Sequence, residues 1–291
     1  MECALENITV HYEVFGEGKP IIVLPGWGLN TRLTAHETEP CFQQREGWKR
    51  IYIDPPGHGK TPGKDWITNQ DKVLEVLLAC IDKLTSGQRF SLIGLSMGGY
   101  LARGVRLYRG EFIDGIALII PAIIAEDRQR TVPPYKVLVE DPAVKADLTP
   151  AEVDLYDMAV VHSRKWLDYQ RTFPDVPEHE SGDFEFLGKI RQQPEKYAFS
   201  FDVDNVSEPF PGPSLIITGR QDAIVGYWDA WNIVEKYPRA TYVVFDRAGH
   251  ELEDKQGLVS VLVNDWLDRV DEMQASSRFG KDTLGDVDAH H

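Results

Sequence analysis

The chain has 291 residues, of which 42% are hydrophobic and 26% charged, and its formal net charge is -15. This composition fits one large globular domain, or a core domain with an inserted subdomain. An acidic protein is poorly suited to nucleic acid or anionic membranes, because binding to either requires a basic patch. We therefore expect a small-molecule substrate as the partner, and neither nucleic acid nor membrane. The sequence leaves the oligomeric state open.

The cysteines and the apolar runs indicate a cytoplasmic protein. Cys3, Cys41 and Cys80 are widely spaced and form no C-x-x-C pair, so they predict neither a disulfide framework nor a metal site. The first residues lack the basic start and apolar stretch of a signal peptide. The longest apolar run, residues 116–124, contains Pro121 and is too short to span a membrane.

Strand-like apolar runs alternate with helical patterns along the chain. The predicted strands are residues 8–14, 21–24, 50–53, 90–93, 116–120, 215–218 and 241–245. The predicted helices are residues 71–84, 97–108, 228–237 and 258–273. A glycine turn after the first strand allows it to pair with a neighbour as a hairpin. This alternation predicts an α/β fold with a mostly parallel sheet and helices on both faces. Functional side chains of such folds lie at the carboxyl ends of the strands.

One segment interrupts this alternation. Residues 123–212 contain no clear buried strand and are rich in charge, proline and aromatic residues, with helix-like pieces at 150–161 and 162–171. We interpret the segment as a helical cap inserted over the active end of the sheet. The predicted boundaries are an α/β core at 1–122 and 213–273, a cap at 123–212 and a polar tail at 274–291.

The most informative motif surrounds Ser96. Residues 94–98 read Gly-Leu-Ser-Met-Gly, a G-x-S-x-G pattern that follows a strand-like run and precedes a helical one. In that context the serine is predicted to be a nucleophile on a sharp strand-to-helix turn, and the glycines allow the backbone to pass close to itself. Ser96 could instead be an ordinary helix cap.

A nucleophilic serine needs a base, and the base needs an orienting carboxylate. Asp222 and His250 each follow a late predicted strand, and the order Ser, Asp, His along the chain is the one expected for this arrangement. We assign Ser96 as nucleophile, His250 as general base and acid, and Asp222 as the residue that orients His250. Alternatives to Asp222 are three nearby carboxylates, at Asp246, Glu251 and Asp254.

The same mechanism requires two N–H donors that stabilise an oxyanion. The Met97 N–H is one candidate, because it opens a helix and has no partner within it. The loop after the strand at 21–24 should supply the second, since Gly26 and Gly28 let its backbone approach closely; we assign the Trp27 N–H.

Taken together, the motifs resemble the α/β-hydrolase fold, in particular its branch of capped carboxylesterases and carbon–carbon bond hydrolases. The segments that carry the resemblance are 25–28, 54–61, 94–99, 219–222 and 248–250. The resemblance extends over residues 8–270. It implies an eight-stranded sheet, a cofactor-free Ser-His-Asp mechanism and a cap that shapes the substrate pocket. In one departure, Pro25 stands where many relatives have a histidine that supports the oxyanion loop.

Specificity is less accessible from the sequence. Trp166 and Trp228 are our candidates for the substrate pocket. The charged cap residues His162, Arg164, Lys165 and Arg171 could form a solvated helix face or bind a substrate carboxylate. Clustered cap arginines facing Ser96 would favour an acidic diketone as the substrate, whereas an apolar pocket would favour a simple ester.

We therefore predict a serine hydrolase that cleaves a small-molecule carboxylic ester through an acyl-enzyme. The alternatives are a hydrolase of the C–C bond in a vinylogous diketone, which can use the same triad, and a non-catalytic ligand receptor on the hydrolase scaffold, because a fold does not determine function.

Overall fold

A computed structural model describes residues 1–252 and 255–282 of the chain. Eight strands form one sheet: β1 (Glu2–Ala4), β2 (Thr9–Phe15), β3 (Lys19–Leu24), β4 (Trp48–Ile53), β5 (Phe90–Leu95), β6 (Ile113–Ile119), β9 (Ser214–Gly219) and β10 (Ala240–Phe245). A separate pair of short strands is β7 (Val139–Glu140) and β8 (Val161–His162).

Five α-helices of the described residues lie between the strands of the core or after the last one. They are α1 (Thr31–Thr38), α2 (Gln70–Thr85), α3 (Met97–Arg109), α10 (Trp228–Asn232) and α11 (Gln256–Asp282). Six shorter helices lie between β6 and β9: α4 (Pro142–Ala146), α5 (Val153–Met158), α6 (Arg164–Gln170), α7 (Glu178–Ser181), α8 (Phe184–Arg191) and α9 (Pro194–Tyr197). No helix within the described ranges is long and apolar enough to cross a membrane.

The sheet has the strand order β1-β2-β4-β3-β5-β6-β9-β10. β2 is antiparallel to both β1 and β4, and the other neighbouring strands are parallel. The first predicted strand thus forms an antiparallel pair with β1, which precedes it. Parallel strands point their carboxyl ends to one edge of the sheet, so the loops after β3, β5, β9 and β10 meet there.

Burial on both faces explains why the central strands are continuously apolar. Successive side chains of a strand point to opposite faces. Ile22 and Leu24 of β3 accordingly pack in the hydrophobic cluster that contains α2 and α3, whereas Ile21 and Val23 pack in the cluster that contains α11. The predicted fold class, a mostly parallel eight-stranded sheet flanked by helices, is confirmed.

Three helices differ from the predictions. α1 was not predicted, because its sequence has only two apolar residues; Asn30 defines its start by accepting a hydrogen bond from the Leu33 N–H at 2.9 Å. The predicted helix at 228–237 ends at Asn232 and continues as a short 3₁₀ helix at Val234–Lys236. α11 continues to Asp282, so residues 274–282, expected to lie in the tail, are helical. Residues 283–291 of that tail lie outside the described ranges.

The segment at 123–212 has its own small hydrophobic cluster. Val144, Tyr156, Ala159, Trp166 and Leu167 are buried together in it. The predicted helix at 150–161 consists of a 3₁₀ turn followed by α5, and the residues after α5 pair as β8 instead; the predicted helix at 162–171 corresponds to α6. The later part of the segment packs differently: Ile190, Tyr197, Phe199, Val203 and Phe210 belong to the core cluster that contains α2 and α3.

Contacts with the loops after β3 and β4 attach this segment to the core. The Asn30 side chain donates a hydrogen bond to the Glu180 carbonyl at 2.9 Å, and Lys60 forms an ion pair with the Glu180 carboxylate at 3.2 Å. His58 and Gly182 form a backbone bridge between the two parts. The segment therefore lies against the carboxyl edge of the sheet.

The crossing of α3 over β3 leaves no room for a side chain at Gly98. A Cβ at this position would lie 2.2 Å from the Leu24 carbonyl oxygen, a backbone atom that cannot rotate away. We expect Gly98→Ala to lower the free energy of unfolding by about 3 kcal/mol. Chemical denaturation would measure the change. The control is Gly257→Ala in α11, where a Cβ meets nothing within 4 Å and should stabilise the helix. Equal stability of the two variants would contradict the prediction.

Candidate active site

Ser96 lies directly between β5 and α3, in a backbone conformation that is rare for a residue with a side chain. Its φ is 50° and its ψ is -113°. Backbone hydrogen bonds fix this turn: the Ser96 N–H donates to Ile119 at 3.0 Å, and the Ser96 carbonyl accepts from Gly99 and Ala122, both at 2.9 Å. Such strain costs about 1–3 kcal/mol and persists only where the surrounding structure enforces it.

The glycines of the G-x-S-x-G motif make this turn possible. A Cβ on Gly94 would lie 2.4 Å from the Gly98 carbonyl oxygen. The loop after β3 also comes close, since a Cβ on Gly26 would lie 3.5 Å from the Ser96 Cβ. The turn therefore presents the Ser96 hydroxyl at the carboxyl edge of the sheet, beside the loop that contains Trp27.

The loops after β9 and β10 bring Asp222 and His250 to the same place. His250 Nε2 lies 3.0 Å from Ser96 Oγ, and His250 Nδ1 lies 2.9 Å from Asp222 Oδ2. The Gln221 N–H donates to the Ala248 carbonyl at 2.9 Å and holds the two loops together. Thus three residues that are far apart in the sequence form a continuous hydrogen-bonded chain.

Asp222 is completely buried, and its two carboxylate oxygens have different partners. Oδ1 accepts hydrogen bonds from the Ile224 and Val225 N–H groups at 2.8 and 2.9 Å, which leaves Oδ2 for His250. Burial alone would raise the pKa of Asp222. The charge of His250, their hydrogen bond and the two N–H donors outweigh burial, so the pKa lies below its ordinary value and the group is an anion.

The pKa of His250, the predicted general base, depends on burial and on neighbouring carboxylates. Burial would lower its pKa, but the charge of Asp222 and the hydrogen bond between the two raise it, as do the charges of Glu251 and Glu37. The net pKa lies above the ordinary value of 6.5. A stronger base accepts the proton of the Ser96 hydroxyl more readily, provided that the pH keeps His250 neutral.

The alternatives to Asp222 do not occupy its position. Asp246 is exposed, and its carbonyl accepts a hydrogen bond from the Gln221 side chain at 3.2 Å. Glu251 accepts hydrogen bonds from Trp166 and Gln170. Asp254 lies outside the described residues.

The two predicted oxyanion donors lie on either side of Ser96. Met97 begins α3, and Trp27 follows Gly26, which approaches the Ser96 side chain. Within the described ranges, neither the Trp27 N–H nor the Met97 N–H donates a hydrogen bond to another residue. Both are available to a ligand, as an oxyanion site requires.

A cavity of about 700 Å³ opens over Ser96 and His250, between the sheet edge and the 123–212 segment. Its wall is mostly apolar, with contributions from both parts of the chain. Representative lining residues are Leu29, Leu33, Ile120, Leu155, Phe173 and Val225. A volume of this size holds a small organic molecule.

Neither Trp166 nor Trp228, our candidates for the pocket, lines this cavity. Trp166 is only 2% exposed, because it fills the small cluster of the 123–212 segment, and its indole N–H donates to Glu251 at 3.2 Å. Trp228 is 49% exposed and packs on the Tyr227 ring at the surface. The sequence identified apolar residues but could not show which of them the fold directs inward.

The charged residues expected on the cap also lie away from the cavity. Arg164 and Arg171 bind Asp147 at 2.6 and 3.1 Å, and Arg171 also binds Glu152. His162 is buried against the Tyr156 ring. The exposed arginines thus form a solvated, ion-paired face.

Arg130 and Arg191, which we did not predict, do line the cavity. The Arg130 guanidinium donates to the carbonyls of Ile124, Ala125 and Ile224 and pairs with Asp127 at 2.7 Å. Arg191 donates twice to the same Asp127 and lies over the Trp27 and Tyr197 rings. No motif near either arginine marks it, because its contact with the core, Arg130 with Ile224 and Arg191 with Trp27, is to a loop distant in sequence.

Two acidic residues of the wall were also missed as site residues, Glu37 from α1 and Glu251 beside His250. Burial and the charge of Glu251 raise the pKa of Glu37 to about 7, although His250 opposes the change. Across the part of the chain that the structure describes, no group of three or more His, Cys, Asp or Glu residues could hold a metal ion.

Comparison with known proteins identifies the family. A family model described as the α/β hydrolase fold matches residues 19–253. A pimeloyl-(acyl-carrier protein) methyl ester esterase of Legionella pneumophila (strain Corby) is 22% identical over 246 residues, which cover 84% of this chain and 92% of that protein. A 2-hydroxy-6-oxononadienedioate/2-hydroxy-6-oxononatrienedioate hydrolase of Burkholderia vietnamiensis is 24% identical and covers 84% of this chain and 85% of its own.

Solved structures agree with the family model. The crystal structure of an α/β superfamily hydrolase from Oenococcus oeni PSU-1 is similar with a TM-score of 0.78 and 28% identity, over 93% of this chain and 99% of that one. The family model and this similarity both extend over most of the chain, including the strands whose ends carry Ser96, Asp222 and His250. The protein therefore belongs to the α/β-hydrolase family.

Proposed function

We propose that the protein is a serine hydrolase that cleaves a small-molecule carboxylic ester through an acyl-enzyme intermediate. The observation that carries the proposal is the hydrogen-bonded chain from Asp222 through His250 to Ser96, with distances of 2.9 and 3.0 Å. Both curated relatives are named as hydrolytic enzymes, which supports hydrolysis of an ester or a C–C bond.

The proposed reaction has two halves, acylation of Ser96 and hydrolysis of the acyl-serine, and His250 transfers protons in both. His250 accepts the Ser96 proton as Ser96 Oγ attacks the ester carbonyl, and the Trp27 and Met97 N–H groups stabilise the resulting oxyanion. His250 then protonates the leaving alcohol, which departs and leaves an acyl-serine. In the second half, His250 activates a water molecule that releases the acid and regenerates Ser96.

The cavity wall favours an ester over an acidic diketone. A diketone that carries a carboxylate needs a cation whose hydrogen-bonding groups are free to bind it. All three guanidinium nitrogens of Arg130 donate to backbone carbonyls, and Asp127 pairs with both Arg130 and Arg191. The remaining wall is largely apolar, which suits the hydrocarbon part of an ester. We also propose that residues 123–212 act as the cap of this cavity.

An activity panel tests the proposal against its alternatives. Short- and long-chain esters, thioesters and a dienoate diketone would be assayed with wild-type protein, and with Ser96→Ala as the control. We expect multiple turnover of one or more esters, and none by the variant. Turnover of the diketone alone would replace the ester proposal with C–C bond hydrolysis. A bound ligand without multiple turnover on any compound would instead favour a receptor.

A further inference from the structure

The charged residues of the cavity wall form two groups, two arginines and two glutamates. Arg130 and Arg191 share Asp127, and Arg191 lies over the ring of Trp27, on the side of the oxyanion loop. Glu37 and Glu251 belong to the same cavity, and the charges of both act on His250. Glu37 and Glu251 therefore place negative charge near His250. Near Trp27, Asp127 balances one of the two arginine charges.

The Glu37 carboxyl has no partner that explains its position. Its backbone carbonyl accepts a hydrogen bond from the Gln256 side chain at 2.9 Å, but no described residue donates a hydrogen bond to its carboxylate oxygens. Burial and the charge of Glu251 together raise its pKa to about 7. No lysine or arginine of the described residues pairs with this carboxyl, so a cationic ligand in the cavity would add to the weaker influence of His250.

Hydrogen bonds from described residues reach only one of the two carboxylate oxygens of Glu251. Its Oε2 accepts hydrogen bonds from the Trp166 indole at 3.2 Å and from the Gln170 side chain at 3.5 Å. No hydrogen bond from the described residues reaches its Oε1. Arg247 and Lys255 border a separate small void behind Glu251 and do not line the cavity. The cationic side chains that do line the cavity are Arg130 and Arg191, and both pair with Asp127.

The position of His250 indicates which part of a substrate meets these two acids. In the proposed reaction, His250 Nε2 must lie within hydrogen-bond reach of both Ser96 Oγ and the leaving oxygen. The alcohol part of the ester consequently extends from His250, where the charges of Glu37 and Glu251 act. Tyr169 and Phe173 of the same cavity add aromatic rings, which favour a cation further.

We propose that Glu37 and Glu251 form the alcohol subsite of the cavity and select esters whose leaving alcohol carries a positive charge. This inference rests on the proposed serine-hydrolase function and narrows its substrate class. An ester with an anionic alcohol part is rejected at the same subsite above about pH 7, where Glu37 is ionised and a further negative charge is unfavourable in a poorly solvated region.

A pair of esters that differ only in charge tests the subsite. The probes are a choline ester and its uncharged isostere, in which carbon replaces the quaternary nitrogen, with the same acyl chain. The quaternary charge does not change with pH. We expect wild-type kcat/KM to favour the choline ester by about 10-fold, and Glu37→Gln/Glu251→Gln to abolish that preference. Glu37→Gln alone should reduce it, because glutamine retains the shape and hydrogen-bonding capacity but not the charge.

Two controls separate the possible outcomes. Glu6→Gln makes the same change in an exposed position outside the cavity and should leave the preference unchanged. The rate at which an uncharged fluorophosphonate labels Ser96 shows whether the catalytic groups of each variant are intact. A wild-type preference for the neutral ester, or an equal preference in wild type and double variant, would overturn the subsite alone. Failure to label Ser96 and to hydrolyse any ester would overturn the proposed function itself.

Discussion

Ser96→Ala is expected to reduce kcat by about 10⁴-fold or more while the fold is retained. In the proposed mechanism this hydroxyl attacks the substrate, and within the described residues no other hydroxyl hydrogen-bonds to His250 Nε2. Steady-state ester hydrolysis and fluorophosphonate labelling would measure the loss. Activity within about tenfold of wild type would remove Ser96 from its proposed role.

Ser96→Gly is the informative companion variant, because it separates chemistry from backbone strain. Alanine retains the Cβ, which makes a φ of 50° unfavourable, whereas glycine adopts this conformation without that penalty. Both variants should be inactive. The glycine variant should be more stable than the alanine variant by about 1 kcal/mol, which corresponds to a rise in Tm of about 2 °C in a chain of this size. Equal Tm values would indicate that the turn is not strained.

Asp222→Asn is expected to be nearly as damaging to activity, about 10⁴-fold in kcat, although it changes a single atom. The Ile224 and Val225 N–H groups both donate to Oδ1, so they hold the asparagine oxygen in that position. The asparagine NH₂ group then faces His250 Nδ1 and places the imidazole proton on Nε2. His250 in this tautomer cannot accept the Ser96 proton.

Two further variants and a pH profile test this explanation. Asp222→Ala should be inactive and also less stable, because it leaves the Ile224 N–H and the buried Val225 N–H without their acceptor. Asp246→Asn, at an exposed carboxylate nearby, should retain activity. The wild-type labelling rate of Ser96 should fall as the pH decreases through a midpoint above 6.5, since His250 is a base with a raised pKa. A midpoint below 6.5, or an active Asp222→Asn variant, would contradict the assignment.

Local signals in the sequence were sufficient to predict seven of the eight strands of the sheet and to place Asp222 and His250 near Ser96. A buried strand needs a continuous apolar run, and a polar residue just after it must lie at the carboxyl edge, so Asp222 and His250 could be placed without knowing any contact. The glycines around Ser96 are likewise a local requirement of the turn. These features depend on residues close together in the chain.

The cavity wall could not be predicted in the same way. Arg191 lies in the cavity wall because it pairs with Asp127 and packs over Trp27, and the pKa of Glu37 is raised by Glu251. These residues meet only when the 123–212 segment and α1 pack against the sheet. Trp166 was misassigned for the related reason that an apolar side chain can face a cavity or a small core equally well. α1 itself lacks the apolar periodicity that would have revealed it.

The two acids beside His250 also bear on how the reaction ends. The proposed reaction would convert a neutral ester group into a carboxylate close to Ser96, in a cavity where Glu37 and Glu251 are already present. The newly formed anion is repelled by both, most strongly where water is scarce. We therefore expect Glu37 and Glu251 to favour departure of the acid product, against the attraction of Arg130 and Arg191 in the same cavity wall.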